Sequence, residues 1–124
     1  MKITKKIDGA TYLMKIEGAI VGSYALDLDQ VIRSTNFSYL GIKSLVFDFT
    51  KVSMIDSIGL EAIRHAQEQG LRVSILNPRE LVKDMLERTR FNDRLLPLLQ
   101  IVEKDHRISA RKEIPISTGF PVSC

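Results

Sequence analysis

Residues 45–49 read LVFDF and residues 54–60 read MIDSIGL, and these two stretches decide how the chain folds. The first is an apolar, β-favouring run of the kind found in buried strands. The second contains the pair Asp56-Ser57, which directly precedes a stretch compatible with a helix. The sequence therefore predicts that the Ser57 hydroxyl lies at the N-terminus of a helix, close to the end of a buried strand.

A serine in this position has two compatible roles. Its hydroxyl can cap the helix, a preference worth about 1 kcal/mol, or a partner protein can modify it. Asp56 is expected to be a turn or capping acid. Gly59 is expected to permit close helix packing, because no glycine-rich loop surrounds it to cradle a phosphate. Local sequence alone favours the cap, and the two roles are compatible.

The composition bounds the kind of protein. With 124 residues, of which 44% are hydrophobic and 27% charged, the chain is long enough for one globular domain without disulfide or metal staples. Its single cysteine, Cys124, excludes an internal disulfide and a cysteine-based zinc site. The two histidines are not expected to bind a metal. The sequence therefore predicts neither a metal nor a cofactor.

Charge and hydropathy argue against two further classes. The net charge is +3, but the excess is dispersed, and no basic stripe is interleaved with aromatic residues. A nucleic-acid partner is therefore not expected. No apolar run reaches the ~18 residues that span a bilayer, and residues 1–8 lack the apolar core of a signal peptide. The sequence predicts a cytoplasmic protein with no direct membrane insertion.

Hydrophobic periodicity gives the order of the elements. It predicts two strands within residues 2–21, a helix over 23–36, a strand over 44–49 and a helix over 57–69. It then predicts a strand over 71–76, a helix starting near Asn77, and an apolar segment, 95–102, that ends in a strand. This order predicts an α/β fold, with helices packed against a mixed, mostly parallel sheet of about four to five strands. Residues 1–104 are the expected domain, and residues 105–124 a flexible tail without hydrophobic periodicity.

Individual side chains have expected places in this scheme. Asn77 is expected to cap the third helix, with Pro78 at its first position, and Gly70 is expected to end the second helix. His65 is expected on the water-facing side of that second helix. The inward stripe of the first helix is expected to consist of Tyr24, Leu28, Val31 and Ile32.

At this level of detail the sequence resembles the STAS domain family, which includes bacterial anti-sigma factor antagonists and domains of sulfate transporters. The family pattern is a hydrophobic strand, a short loop, and an Asp-Ser pair with Gly-Leu at the start of a helix, and residues 45–60 are similar to it. Residues 73–78 (VSILNP) are similar to the family's next strand, and residues 91–97 (FNDRLLP) to its last helix. The resemblance covers residues 2–103 and implies the STAS fold.

For function, the resemblance implies a stand-alone anti-sigma factor antagonist, also called an anti-anti-sigma factor. In such proteins an anti-sigma factor that is a serine kinase phosphorylates the serine after the Asp, here Ser57, and a PP2C-type phosphatase reverses the reaction. The unmodified protein binds the anti-sigma factor and frees the sigma factor. The partner-binding residues implied by the resemblance are Asp56, Ser57, Ile58, Gly59 and Glu61, with Val21, Gly22 and Ser23 after the second strand.

Three positions depart from the family pattern. Val21 stands where many antagonists have an acid, while Ile58 and Glu61 stand where the family often has small residues. The departure at Val21 leaves open an alternative, in which the chain is a STAS scaffold subunit of a transporter or of a stress-signalling complex. An enzyme is not expected and no catalytic residue is predicted, because Ser57 lacks a Gly-x-Ser-x-Gly elbow and a histidine placed to act as its base.

Overall fold

The structure is a computed structural model that describes residues 1–91 and 100–103. Within these residues the strands are β1 (Lys2–Asp8), β2 (Thr11–Ile20), β3 (Ser44–Ile55), β4 (Arg72–Leu76) and β5 (Gln100–Val102). The helices are α1 (Gly22–Ser34), α2 (Ser57–Glu68) and α3 (Glu80–Phe91). This alternation of strands and helices after an opening pair of strands confirms the predicted α/β class.

The strands form one five-stranded sheet in the order β1-β2-β3-β4-β5. β1 and β2 are antiparallel, whereas β2 and β3, β3 and β4, and β4 and β5 are parallel. Consecutive parallel strands are neighbours, so right-handed crossovers all advance in one direction and place α1, α2 and α3 on the same face. The mixed, mostly parallel sheet predicted from the sequence is confirmed.

The core lies between that face of the sheet and the helices. The strands contribute alternate side chains, which are Tyr12, Met14 and Ile16 of β2, Leu45, Phe47 and Phe49 of β3, and Val73 and Ile75 of β4. The helices contribute Ala25, Leu28, Ile32, Ala62, Ile63, Ala66, Val82 and Leu86. Leu13 and Val46, which point to the opposite face, are only half-buried. The strand predicted to be buried is therefore fully buried on one face only, and its other face is half-buried.

β3 is longer than the sequence predicts. Residues 17–20 of β2 pair with residues 51–55 through two register shifts, which continues β3 from Phe49 to Ile55. Val52 and Ile55 are buried within this extension. The extension carries the end of β3 to the N-terminus of α2, so that only Asp56 separates the two elements.

Two local expectations are wrong. α3 begins at Glu80, after Asn77 and Pro78, and the Arg79 carbonyl accepts a hydrogen bond from the Lys83 N–H at 2.8 Å. Asn77 instead has a φ of 60°, and its N–H donates to the Val102 carbonyl at 2.7 Å, which ties the end of β4 to β5. On α1, Tyr24 is 49% exposed, and Ala25 occupies the buried position that Tyr24 was expected to fill.

Two predicted element ends are confirmed. Gly70 follows the C-cap residue of α2, Gln69, and its φ of 84° is the left-handed conformation typical of a glycine that ends a helix. β5 ends at Val102, as expected. Residues 95–99 of the predicted apolar segment and the predicted tail, residues 105–124, lie outside the described residues.

Candidate functional site

Asp56 stands at the N-termini of two helices. It is the N-cap residue of α2, with extended backbone (φ −108°, ψ −175°), and its Oδ1 accepts a hydrogen bond from the Gly59 N–H at 3.0 Å. Its Oδ2 accepts a second hydrogen bond, from the Gly22 N–H at 2.8 Å. Because Gly22 is the first residue of α1, one carboxylate binds the N-termini of both helices.

Helix α1 depends on this arrangement, since it has no side-chain cap of its own. Its N-cap residue is Val21, whose side chain cannot accept a hydrogen bond. Gly22 has a φ of +55°, in the left-handed region that glycine adopts with least strain. A backbone link supports the same contact, because the Asp56 N–H donates to the Ile20 carbonyl at 3.2 Å. We call Val21, Gly22 and Asp56 the two-helix junction.

Ser57 is exposed at the first position of α2. Its hydroxyl has no hydrogen bond to another residue within the described part of the chain. The interpretation of Ser57 as the helix cap is wrong, because Asp56 provides the cap one residue earlier, and the expected capping role of Asp56 is confirmed. Ser57 is thus accessible, and its Oγ is not needed to cap the N-terminus of α2.

Gly59 is buried where α2 passes over the ends of β2 and β3. A Cβ atom at this position would lie 2.6 Å from Ile55 Cγ1 and 3.0 Å from the Ile20 carbonyl oxygen. Such separations are shorter than van der Waals contact, so a side chain fits here only if neighbouring atoms move. This geometry confirms the packing role expected for Gly59.

The surface around Ser57 combines apolar and acidic side chains. Ile58 is half-buried against the core, while Glu61, one turn further along α2, is exposed on the same side as Ser57. Two exposed apolar side chains flank the two-helix junction in sequence: Met54, at the end of β3, and Leu26, one turn into α1. A protein partner could therefore find both apolar contact and negative charge at this surface.

The structure brings the two halves of the predicted partner-binding set together. The Gly22–Asp56 hydrogen bond joins the start of α1 to the start of α2, although the two residues are 34 positions apart in the sequence. Val21 is half-buried in this arrangement, and Ser23 is exposed on the first turn of α1. Partner binding by these residues stays a prediction.

α1 and α2 share a polar cluster that was not predicted from the sequence. The His65 side chain is only 26% exposed, so its expected water-facing position is wrong, and its Nδ1 lies 2.7 Å from Asp29 Oδ1. An ionised carboxylate only accepts, so the ring N–H donates. Arg33 donates from Nε to Asp29 at 2.9 Å, and its Nη2 lies 3.1 Å from His65 Nε2, which accepts when Nδ1 carries the proton. The i, i+4 spacing of Asp29 and Arg33 was the available sequence signal.

The described residues show neither a cluster of metal ligands nor a membrane-spanning helix. No group of three or more His, Cys, Asp or Glu side chains there could hold a metal ion. No helix within residues 1–91 and 100–103 combines the length and the apolar character needed to cross a membrane. The polar side chains at and beside the two-helix junction are the Asp56 carboxylate and the hydroxyls of the exposed Ser57 and Ser23.

Known proteins resemble this chain in sequence pattern and in fold. The sequence model of the STAS domain family matches residues 2–104. No curated protein matches the chain.

Three solved structures have a similar fold. The anti-sigma factor antagonist SpoIIAA in its unphosphorylated form is 12% identical, with a TM-score of 0.64, and the match covers 86% of this chain and 90% of that chain. The Bacillus cell fate determinant SpoIIAA in its phosphorylated form is 16% identical, with a TM-score of 0.58 and coverage of 86% and 94%. An anti-sigma factor antagonist from Mycobacterium paratuberculosis is 16% identical, with a TM-score of 0.64 and coverage of 80% and 84%. At these identities the likeness is one of fold.

Proposed function

Because this chain belongs to the STAS domain family, we propose that it is an anti-sigma factor antagonist that is switched off by phosphorylation of Ser57. In this proposal the unmodified protein binds an anti-sigma factor that is also a serine kinase, and thereby frees a sigma factor. A PP2C-type phosphatase returns the modified protein to its binding form. The cycle consumes ATP and acts on transcription, so its proposed location is the cytoplasm. The shared fold with SpoIIAA, solved with and without phosphate, supports the proposal.

The single observation that carries this proposal is that Ser57 is exposed while the N-terminus of α2 is capped by Asp56 and not by the Ser57 hydroxyl. Asp56 accepts the Gly59 N–H, so modification of Ser57 removes no capping hydrogen bond from α2. In the proposed reaction the Ser57 Oγ attacks the γ-phosphorus of ATP. A new O–P bond forms, the bond to the leaving ADP breaks, and the hydroxyl proton passes to solvent or to a base on the kinase. Hydrolysis of the phosphoserine by the phosphatase releases inorganic phosphate and restores the hydroxyl.

The charge added by phosphorylation explains how binding would be lost without unfolding. A phosphoserine carries roughly −1.5 to −2 charge at neutral pH. The N-terminus of α2 favours a negative charge by about 0.3–1 kcal/mol, which keeps the helix intact. Asp56 and Glu61 are already acidic on that surface, so a partner seated over Ser57 would meet both added bulk and concentrated negative charge.

The proposed partner surface consists of Ser57 and the residues around the two-helix junction. From α2 and its cap it includes Asp56, Ile58, Gly59 and Glu61, and from the start of α1 it includes Val21, Gly22 and Ser23. The buried Gly59 contributes through backbone position, because a Cβ atom there would lie within 3.0 Å of Ile55 and Ile20. We further propose that residues 1–104 are the STAS domain and that residues 105–124 are not part of it.

Mass spectrometry and binding measurements test this function. Protein isolated from its native cells is expected to carry one phosphate, located on Ser57 by fragment mapping over residues 51–72. Ser57→Ala is expected to abolish the modification, whereas Ser23→Ala, which changes an exposed serine on the neighbouring helix, is expected to retain it. Ser57→Asp is expected to weaken binding to the anti-sigma kinase at least tenfold, or about 1.4 kcal/mol. A phosphate on another residue, or unchanged binding by Ser57→Asp, would contradict the proposal.

A second candidate function is a STAS scaffold subunit of a transporter or stress-signalling complex. It is favoured by Val21, a half-buried residue without charge at the N-cap of α1, where many antagonists have an acid. This function requires no cycle at Ser57. Uniformly unmodified Ser57 across growth and stress conditions, together with co-purification with a membrane transporter, would favour it.

A further inference from the structure

We propose that His65 is a proton-controlled switch beside the proposed partner surface: its neutral ring contacts Arg33 of α1, and its charged ring pairs instead with Glu61 of α2. Glu61 lies one turn after Ser57, so the switch acts on the charge that a partner meets there. The effect on a partner rests on the proposed function. The exchange of contacts is a property of the isolated chain and does not require phosphorylation.

The His65 ring lies between α1 and α2, with a charged side chain near each of its nitrogen atoms. Nδ1 is 2.7 Å from Asp29 Oδ1. Nε2 is 3.1 Å from Nη2 of Arg33 and 4.0 Å from Oε1 of Glu61. The His65 side chain is only 26% exposed, so water and salt screen these interactions less than they screen pairs on the open surface.

The charges around the ring come from both helices that enclose it. α1 supplies Asp29 and Arg33, which are joined to each other at 2.9 Å, and α2 supplies Glu61. Two further charged side chains on this part of α2, Arg64 and Glu68, pair with each other at 3.3 Å. The strands beneath α2, β3 and β4, face it with buried apolar side chains. The groups that compete for Nε2 are therefore Arg33 and Glu61.

A proton from solvent reverses the hydrogen-bonding role of Nε2. In the neutral ring, whose Nδ1–H donates to Asp29, Nε2 is an acceptor, and a guanidinium only donates. In the charged ring both nitrogen atoms are donors. Arg33 then loses its acceptor on the ring and faces a like charge, while its Nε keeps Asp29 as a partner at 2.9 Å. Protonation therefore breaks the contact between Arg33 and His65 and leaves the ion pair within α1 intact.

Glu61 supplies the acceptor that the charged ring needs. It lies one turn before His65 on α2, and its side chain is 49% exposed and can change rotamer. The separation of 4.0 Å between Oε1 and Nε2 must shorten by about 1 Å to reach hydrogen-bond length. This movement draws the Glu61 carboxylate toward His65 and away from Ser57, which lies on the opposite side of Glu61 along the helix.

The exchange changes the chemistry that the partner surface offers. With a neutral His65, the Glu61 carboxylate is open to a cationic side chain of the partner. With a charged His65, the same carboxylate is paired within the chain. Histidine is the side chain that ordinarily changes charge between about pH 5 and 8. A partner that presents Lys or Arg to Glu61 is therefore expected to bind more weakly as the pH falls through this range.

Nuclear magnetic resonance of the full chain, labelled with ¹⁵N and ¹³C, tests the exchange without a partner. Over about pH 5 to 8 the His65 ring is expected to pass from one protonated nitrogen atom to two as the pH falls. The side-chain carboxyl carbon of Glu61 is expected to shift with the same midpoint, in addition to the step that its own protonation produces. His65→Gln identifies the ring signals, because the chain has two histidines.

Two variants are expected to move the His65 midpoint in opposite directions. Glu61→Gln removes the carboxylate that stabilises the charged ring, so the midpoint is expected to fall. Arg33→Gln removes the cation that opposes it, so the midpoint is expected to rise. Each shift is expected to be about half a pH unit, because both charges are partly exposed. Asp27→Asn, which neutralises an exposed carboxylate elsewhere on α1, is expected to leave the midpoint unchanged.

The outcomes separate this switch from the proposed function. A Glu61 signal that does not follow His65, or a midpoint that neither variant moves, would overturn the exchange and leave the proposed function standing. If no anti-sigma factor binds and Ser57 is never modified, the proposed function fails, and the resonance data still decide the exchange. With the anti-sigma kinase as the probe, affinity is expected to fall about threefold from about pH 8 to about pH 6, and less in Glu61→Gln. An equal fall in Glu61→Gln would overturn the action of the switch on the partner.

Discussion

Replacing Asp56 with alanine is expected to lower the free energy of unfolding by about 2–3 kcal/mol, because two helices lose their capping acceptor at once. Loss of an N-cap side chain destabilises a protein by about 0.5–2 kcal/mol. A hydrogen bond to a charged group adds about 1.5–3 kcal/mol, reduced here because water can reach the Gly22 N–H. Urea denaturation followed by far-ultraviolet circular dichroism measures the sum.

A matched control on α1 isolates the effect of the capping position. Asp27→Ala removes an exposed carboxylate that has no hydrogen bond or ion pair in the described part of the chain. It is expected to change the free energy of unfolding by no more than about 0.5 kcal/mol. If Asp56→Ala were as mild as Asp27→Ala, Asp56 would not be the anchor of the two helices.

The features predicted correctly from the sequence depend on short-range signals. Asp56 caps α2 and Gly70 follows its end, and each is recognisable from residue type and position relative to an apolar stripe. The alternation of strands and helices likewise follows from hydrophobic periods within each segment. These local preferences agree with the tertiary fold, which is why they sufficed for the fold class.

Mistakes occurred where two neighbouring residues compete for one role. Asp56 and Ser57 are both good capping residues, and the structure selects Asp56 because its carboxylate also reaches Gly22. Tyr24 and Ala25 are adjacent on α1, and the smaller side chain faces the core, with 0% exposure. In both pairs the choice is made by contacts from another element, which local sequence does not contain.

Contacts between α1 and α2 were beyond the reach of sequence patterns. The Gly22–Asp56 and Asp29–His65 contacts join residues 34 and 36 positions apart. Neither pair has a spacing that indicates contact, because the crossover through β3 sets which helix turns meet. The partner-binding set came from a family resemblance, which included Asp56 but not the hydrogen bond to Gly22 by which its carboxylate connects the two halves.

Gly59→Ala is expected to destabilise the protein by about 1–3 kcal/mol, the usual range for overpacking. The added Cβ would lie 2.6 Å from Ile55 Cγ1, and Ile55 can relieve that contact only by moving within the core. The second contact, 3.0 Å to the Ile20 carbonyl oxygen, is with backbone whose position is set by the β2–β3 pairing. Thermal and urea denaturation both report the change.

Whether Gly59→Ala lowers or raises the free energy of unfolding decides the role of Gly59. At an open helix position, replacing glycine with alanine stabilises the helix by up to about 1 kcal/mol, because alanine has the higher helix propensity. Gly22→Ala is the informative comparison, since a Cβ at Gly22 meets nothing within 4 Å and any loss of stability there comes from its φ of +55°.

We expect Gly59→Ala to move α2 away from the ends of β2 and β3, and so to disturb the Asp56–Gly22 hydrogen bond as well. Gly22→Ala is expected to strain the start of α1 while leaving α2 in position. A stabilised Gly59→Ala variant would mean that α2 is not held this closely against β2 and β3, and that Ser57 is not positioned by the packing of its own helix.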